Sequence, residues 1–205
     1  MDFGYSPRTQ ALRERVSAFM AEHVYHNEAR YWAELQANTE AGKRWTPLPV
    51  IEELKPKAKA AGLWNLFLPE SELGAGLKNE EYAPLAEIMG RVPWAAEVFN
   101  CNAPDSGTME LLQIAASPAQ VQRWLNPLLD GSIRSCFAMS EPDTASSDPT
   151  QLTTRIQRGG SGPDAGWVLN GRKWFITGAA HPLCRLAVVM GVSEDDNAPE
   201  HARHS

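Results

Sequence analysis

The property of this sequence that most limits its fold is a change of period near Ser132. Ahead of it, apolar residues return at three- and four-residue spacing, the repeat of helices with one buried face; beyond it they alternate, as in half-buried strands. The fold class expected is therefore α+β, with helices gathered ahead of strands. Ser6 can cap a first helix with Pro7 at its opening position, and Leu12, Val16, Phe19 and Met20 then supply the buried stripe. Ile51, Leu54 and Ala58 mark a second helix closed by Gly62, which Pro56 is expected to shorten or kink. Asn79, Glu80 and Glu81 offer a cap oxygen and first-turn carboxylates to a third, whose stripe is Tyr82, Leu85, Ala86 and Met89, although Pro84 interrupts it. Met109 to Ala116 reads as another helix. Ser117-Pro118-Ala119-Gln120 resembles a capping box opening onto Trp124, Leu125, Leu128 and Leu129, and Gly131 ends that run.

In the second part, Leu152, Thr154 and Ile156 alternate with Thr153, Arg155 and Gln157 as in a half-buried strand, followed by a loop from Gly159 to Gly166. Trp167 to Leu169 and Lys173 to Ile176, joined by Asn170-Gly171, predict a tight hairpin, because Asn-Gly accepts the positive φ of a type I′ turn. Ala187 to Met190 predicts a buried strand. The polar stretch from Ser193 to Ser205 reads as an exposed loop that lacks a returning strand.

Composition narrows the functional classes. Hydrophobic content of 43% with 21% charged residues describes an ordered soluble protein. The longest apolar run, Leu186 to Val192, is about a third of the ~20 residues needed to span a bilayer, so no membrane span is expected. No secretory signal is visible at the N-terminus, and a cytoplasmic location is the expectation. A net charge of −6 argues against nucleic acid as a partner. Cys101, Cys136 and Cys184 are odd in number and far apart, which favours reduced, buried thiols over a disulfide framework.

Two segments carry candidate chemistry: CFAMSEPDTASSD from Cys136 to Asp148, and WVLNGRKWFITG from Trp167 to Gly178. Ser146, Ser147 and neighbouring main-chain N–H groups can cradle a phosphate, while a polar turn that satisfies itself has the same residues. Phe175 and Thr177 are two apart and on a strand would face one side, an aromatic face to cover a flavin and a hydroxyl to address a ring nitrogen; alternating core packing has the same signature. Gly74-Ala75-Gly76 lacks the third glycine and the preceding strand of a dinucleotide fingerprint. His23 with His26, and His201 with His204, have no Cys or carboxylate pattern to complete a metal site, and no metal is expected. Glu141 precedes Pro142 at a strand end, where a structural role is expected.

These two segments resemble the acyl-CoA dehydrogenase family, and the likeness continues more diffusely through AAGLWNLFLPE and EYAPLAEIMGR in the helical part. Ala145, where many members have glycine, and Phe175, where many have tryptophan, are similar to the branch typified by members 10 and 11. The resemblance implies a helical N-terminal domain over residues 1–133 and a middle domain over 134–205, the latter part of an antiparallel, barrel-like sheet. It implies FAD, with Phe137, Ala138, Met139, Ser140, Ser146 and Ser147 lining the flavin ring and pyrophosphate, and Trp174, Phe175, Ile176 and Thr177 packing on the ring. Ser147 is also implied on the substrate side, Ser140 at the hydroxyl position beside the ring, and Thr177 near its reactive nitrogen. The implied reaction removes an α-proton and a β-hydride from an acyl-CoA thioester to give the trans-2-enoyl-CoA, with an electron-transfer flavoprotein as acceptor and a homo-oligomer as the assembly. In the family the base lies in a C-terminal helical domain, so no catalytic residue is assigned within 1–205. The alternative is a non-catalytic fragment or subunit that needs a complementary chain to hold FAD, and relatives that act as oxidases or monooxygenases keep a third reading open.

Overall fold

A computed structural model describes residues 4–69, 72–145, 148–159 and 166–193. The first helix, α1 (Pro7–Phe19), opens as its sequence dictates: the Ser6 side chain accepts from the Thr9 N–H at 3.1 Å with Pro7 at the first position. Its stripe of Leu12, Val16 and Phe19 continues into Met20 and Val24 through one turn of π-helix (Met20–Val24) and a 3₁₀ turn (Tyr25–Asn27). There follow α2 (Glu28–Glu40), α3 (Pro49–Ala60), α4 (Asn79–Met89), α5 (Ala95–Val98), α6 (Asp105–Ala115), α7 (Pro118–Gln120) and α8 (Asn126–Asp130). They enclose one apolar core in which Met20, Leu54, Leu66, Leu85, Met89, Phe99, Met109 and Leu128 are buried.

Pro56 and Pro84 do not break their helices. α3 runs on to Ala60 and α4 to Met89. Burying Val50, Ile51, Leu54 and Ala58 contributes about 1.5–3 kcal/mol for each larger side chain, enough together to offset the ~3 kcal/mol cost of an interior proline. Ser117 and Gln120 exchange the two bonds of a capping box, the Ser117 N–H reaching Gln120 Oε1 at 2.8 Å. Gly131 closes α8 in the left-handed region at φ 78°, where its missing Cβ also admits the Trp64 ring.

Among the described residues five strands follow: β1 (Arg134–Ala138), β2 (Arg155–Gly159), β3 (Gly166–Asn170), β4 (Cys184–Val189) and β5 (Val192–Ser193). β1 and β4 form a parallel two-stranded sheet; the second sheet has the order β3-β2-β5, antiparallel between β2 and β3 and parallel between β2 and β5. The expected antiparallel, barrel-like sheet is thus only partly present: the sheets are small and do not close. The reason is the route of the chain, since the segment between β1 and β4 crosses over and returns β4 in the direction of β1.

The expected Asn170-Gly171 hairpin is also corrected. β3 pairs back onto β2 instead, from Arg155 opposite Asn170 to Gly159 opposite Gly166, and residues 171–176 belong to no strand. Gly171 acts by having no side chain: a Cβ there would stand 2.3 Å from the Thr154 hydroxyl oxygen. Phe175 and Thr177 therefore do not owe their placement to strand alternation. Ala187 to Met190 lies largely in β4, which is half-buried. The predicted loop beyond Ser193, with His201 and His204, lies outside the described residues. Among the described residues, no helix is long and apolar enough to cross a membrane.

Candidate functional site

Three parts of the chain meet at one open cleft of about 260 Å³: Ala103 and Pro104 ahead of α6, Phe137 and Ser140 from β1 and its end, and Phe175, Ile176 and Thr177 from the loop before β4. Asp105, which has no signature in the sequence pattern, ties the start of α6, next to Pro104, to the first residues of β1. It is 1% exposed, and its Oδ1 accepts from the Ser135 N–H at 2.6 Å and the Ser135 hydroxyl at 2.7 Å, while Oδ2 accepts from Arg134 Nε. Arg134 also donates to Glu97, which Lys55 approaches at 3.4 Å. Burial would raise the Glu97 carboxyl, but Arg134 and then Lys55 outweigh it and hold Glu97 below the ordinary range. This buried charge group joins α3, α5 and α6 to the first residues of β1.

The loop side is held by Gly178 and Lys173. Gly178 takes φ 85°, and a Cβ there would lie 3.0 Å from the Ser135 carbonyl oxygen, so only glycine lets the chain pass this closely. Lys173 Nζ donates to the Met139 carbonyl at 2.8 Å and to Glu141 Oε1 at 2.9 Å, and the Trp174 N–H donates to the Ser140 carbonyl at 3.1 Å. These bonds lay residues 173–177 across the end of β1.

Glu141 has the structural role expected of it. Its carboxylate is 3% exposed and also accepts from the Thr153 N–H and hydroxyl, each at 2.7 Å, and from the Thr154 N–H at 2.9 Å. Burial opposes its charge, yet the bonds from Thr154, Thr153 and Lys173 prevail and hold the carboxyl far below the usual carboxylate range. A depressed folded value means the stabilisation is complete above the ordinary carboxylate range and drains away as pH falls through that range toward the folded value. Glu141→Gln should therefore cost about 3–5 kcal/mol at neutral pH, the scale for breaking a buried ion pair. Urea midpoints of both proteins should converge as the medium is acidified; a gap that stays constant with pH would show that the charge contributes nothing.

Of the residues implied by the resemblance, Phe137, Ser140, Phe175, Ile176 and Thr177 line the cleft together. Trp174 is 41% exposed and packs on Phe175 with ring centroids 4.5 Å apart. Met139 lies beside them and offers its carbonyl to Lys173, whereas Ala138 is buried within β1. Ser146 and Ser147 lie outside the described residues. Ala103 and Pro104 were not foreseen, because a wall formed 30 residues before β1 has no local signature. A second, more apolar cleft of about 420 Å³ shares Ala103, Pro104 and Phe137 and extends over Gly107, Thr108, Leu111 and Val188. Elsewhere, His23 packs edge-on against Phe19, and among the described residues no group of three or more His, Cys, Asp and Glu could hold a metal ion.

The cleft suits a flat heteroaromatic group. Phe175 is 83% exposed although large and apolar, and it is held at φ 50°, a conformation that costs a bulky L-residue about 1–3 kcal/mol. An exposed aromatic pair at a cleft that Ser140 and Thr177 also line offers both a stacking face and residues with hydrogen-bonding groups.

Comparison with known proteins identifies the relatives of the whole chain. Residues 6–132 match the model of the acyl-CoA dehydrogenase N-terminal domain and residues 136–205 that of the middle domain. The mouse acyl-CoA dehydrogenase family member 10 is 47% identical over 98% of the chain, which covers 18% of that protein; the chicken family member 11 is 45% identical over 99%, covering 25%. The solved structure of a Mycobacterium abscessus protein assigned as an acyl-CoA dehydrogenase superposes with a TM-score of 0.88 at 47% identity, over 98% of this chain and 50% of that one. A glutaryl-CoA dehydrogenase from Mycobacterium smegmatis, solved with FADH2, shares the fold at 22% identity, with a TM-score of 0.67 over 93% of this chain and 44% of its own. The chain thus spans about half the length of the Mycobacterium abscessus relative and a quarter or less of the two vertebrate ones. With domain models matched over nearly its whole length, the chain belongs to the acyl-CoA dehydrogenase family.

Proposed function

We propose that this chain forms the helical and flavin-facing part of an FAD-dependent acyl-CoA dehydrogenase that converts acyl-CoA thioesters to trans-2-enoyl-CoAs. The observation that carries the reading is the exposed, left-handed Phe175 beside Trp174, lining one cleft with Phe137, Ser140 and Thr177. Bound FAD would supply the hydride acceptor. Trp174 and Phe175 would stack on its ring, Thr177 and Ser140 would donate hydrogen bonds to it, and Ser146 and Ser147 are proposed at its pyrophosphate. The adjoining apolar cleft over Leu111 and Val188 suits the acyl chain, and Ser147 is proposed on the thioester side. None of the described residues lining either cleft is acidic. The proton-abstracting carboxylate is accordingly proposed to come from a C-terminal helical domain outside residues 1–205. An electron-transfer flavoprotein is the proposed electron acceptor, a homo-oligomer the proposed assembly and the cytoplasm the proposed location.

Titration of the chain with FAD tests this directly. Weak, reversible quenching of tryptophan fluorescence is expected, lost in Trp174→Phe and reduced in Thr177→Ala. Quenching unaffected by either change would place the flavin elsewhere. Phe175→Gly provides a second test through opposite signs. It should stabilise the fold by about 1 kcal/mol, because glycine accepts φ 50° freely. The same change should weaken FAD binding by about 0.5–1.5 kcal/mol through the lost aromatic contact. A parallel loss of both would make Phe175 a packing residue only.

A second reading, a partner subunit that holds FAD only with a complementary chain, is favoured by the exposure of Phe137, Trp167 and Phe175. Gel filtration with FAD separates the two: FAD retained by the chain alone weighs against the partner reading, and FAD retained only when a complementary chain is added supports it.

A further inference from the structure

β1 and β4 each bring one cysteine to their shared ladder. Cys136 is buried, Cys184 is half-buried, and both are free thiols. The register is irregular here: Arg134 pairs with Cys184 but Ser135 pairs with Leu186, leaving Arg185 as an extra residue. Past this bulge Cys136 pairs with Ala187, so Cys184 lies diagonally from it along the ladder. The two thiols are close enough to influence each other's ionisation, and Cys184 Sγ donates to the Leu186 carbonyl at 3.7 Å. A disulfide needs Cα atoms within about 7 Å, and the slack of the extra residue lies where β4 must move to meet that spacing.

We propose that Cys136 and Cys184 form an oxidation site that a hydroperoxide converts to an intramolecular disulfide. Cys184, the thiol that solvent reaches, gives two electrons to the peroxide O–O bond; it becomes a sulfenic acid as the peroxide leaves as an alcohol or, from hydrogen peroxide, as water. Cys136 then attacks the sulfenic sulfur. The S–S bond forms, the S–O bond breaks, and the hydroxyl leaves as water with the Cys136 proton. Burial, and next the neighbouring Cys184, push the Cys136 thiol up to about 11, so it stays protonated and resists oxidation until an electrophilic sulfur stands beside it. The bridge would tie β1 to β4 next to Phe137, independently of whether the cleft holds FAD.

The native chain treated with hydrogen peroxide, alkylated and digested under non-reducing conditions tests the assignment by mass spectrometry. The expected product is a Cys136–Cys184 linked peptide pair lighter by two hydrogens, with Cys101 alkylated. In Cys136→Ala, Cys184 should accumulate as sulfenic acid trapped by dimedone, severalfold above the native chain. In Cys184→Ala, Cys136 should stay reduced. Circular dichroism of both variants reports whether the fold survives; should either fail to fold, the native digest with and without urea decides, since linkage should fall on unfolding. Alkylation of both cysteines after peroxide treatment of the folded chain, or overoxidation of Cys184 as fast in the native chain as in Cys136→Ala, would overturn the site.

Discussion

Supplied with saturating FAD, acyl-CoA and an artificial electron acceptor, the 205-residue chain should show no turnover for short, medium or long acyl groups. An acyl-CoA α-proton is weakly acidic, and a positioned general base is worth about 10²- to 10⁴-fold. Among the described residues no acid lines either cleft, and Phe175 is 83% exposed to solvent. Loss of orientation compounds the loss of the base. Glu141 is the acidic residue nearest the end of β1, but its oxygens accept from Thr153, Thr154 and Lys173, leaving it poorly placed to take a proton from substrate. Dye reduction by the chain alone, abolished in Glu141→Gln, would reassign the base to this residue. Activity appearing only when a complementary C-terminal domain is added would support the proposed division.

Asp105→Ala should be among the most damaging single substitutions. It would strand the Arg134 guanidinium with Glu97 alone and leave the Ser135 N–H and hydroxyl without the acceptor they share. Breaking a buried charge pair costs about 3–5 kcal/mol, a large part of the ~5–15 kcal/mol by which domains are usually stable. Guanidinium midpoints should show the loss. Glu53→Ala is the matched control, because the Arg30–Glu53 pair is exposed and its removal should barely move the midpoint. Equal effects of the two would deny the Asp105 group any special part in joining the helices to β1.

How much was legible in the sequence depended on how local the cause was. The Ser6 cap, the Ser117 capping box and the left-handed Gly131 are each set within four residues, and all stand where the pattern placed them. α2 escaped detection because it has no fully buried residue and joins the core only through the partly buried Tyr31 and Leu35. The Asn170-Gly171 turn misled for a related reason. Its local propensity is real, but Lys173 binds Glu141, 32 residues earlier, and draws the chain to β1 instead of back along β3. The cleft residues Phe137, Ser140, Phe175, Ile176 and Thr177 were named as a set through resemblance; that Ala103 and Pro104 complete the wall, and that Asp105 holds it, required contacts about 30 residues apart.

The parallel pairing of β1 with β4 also bears on how the protein is made. Partners in that ladder are about 50 residues apart, so β1 leaves the ribosome several seconds before the strand it must pair with, at about 5–20 residues per second. The helices α1 to α8, which all precede β1 in the chain, can condense in that interval. β1 must wait with its edge open until β4 arrives to pair with it.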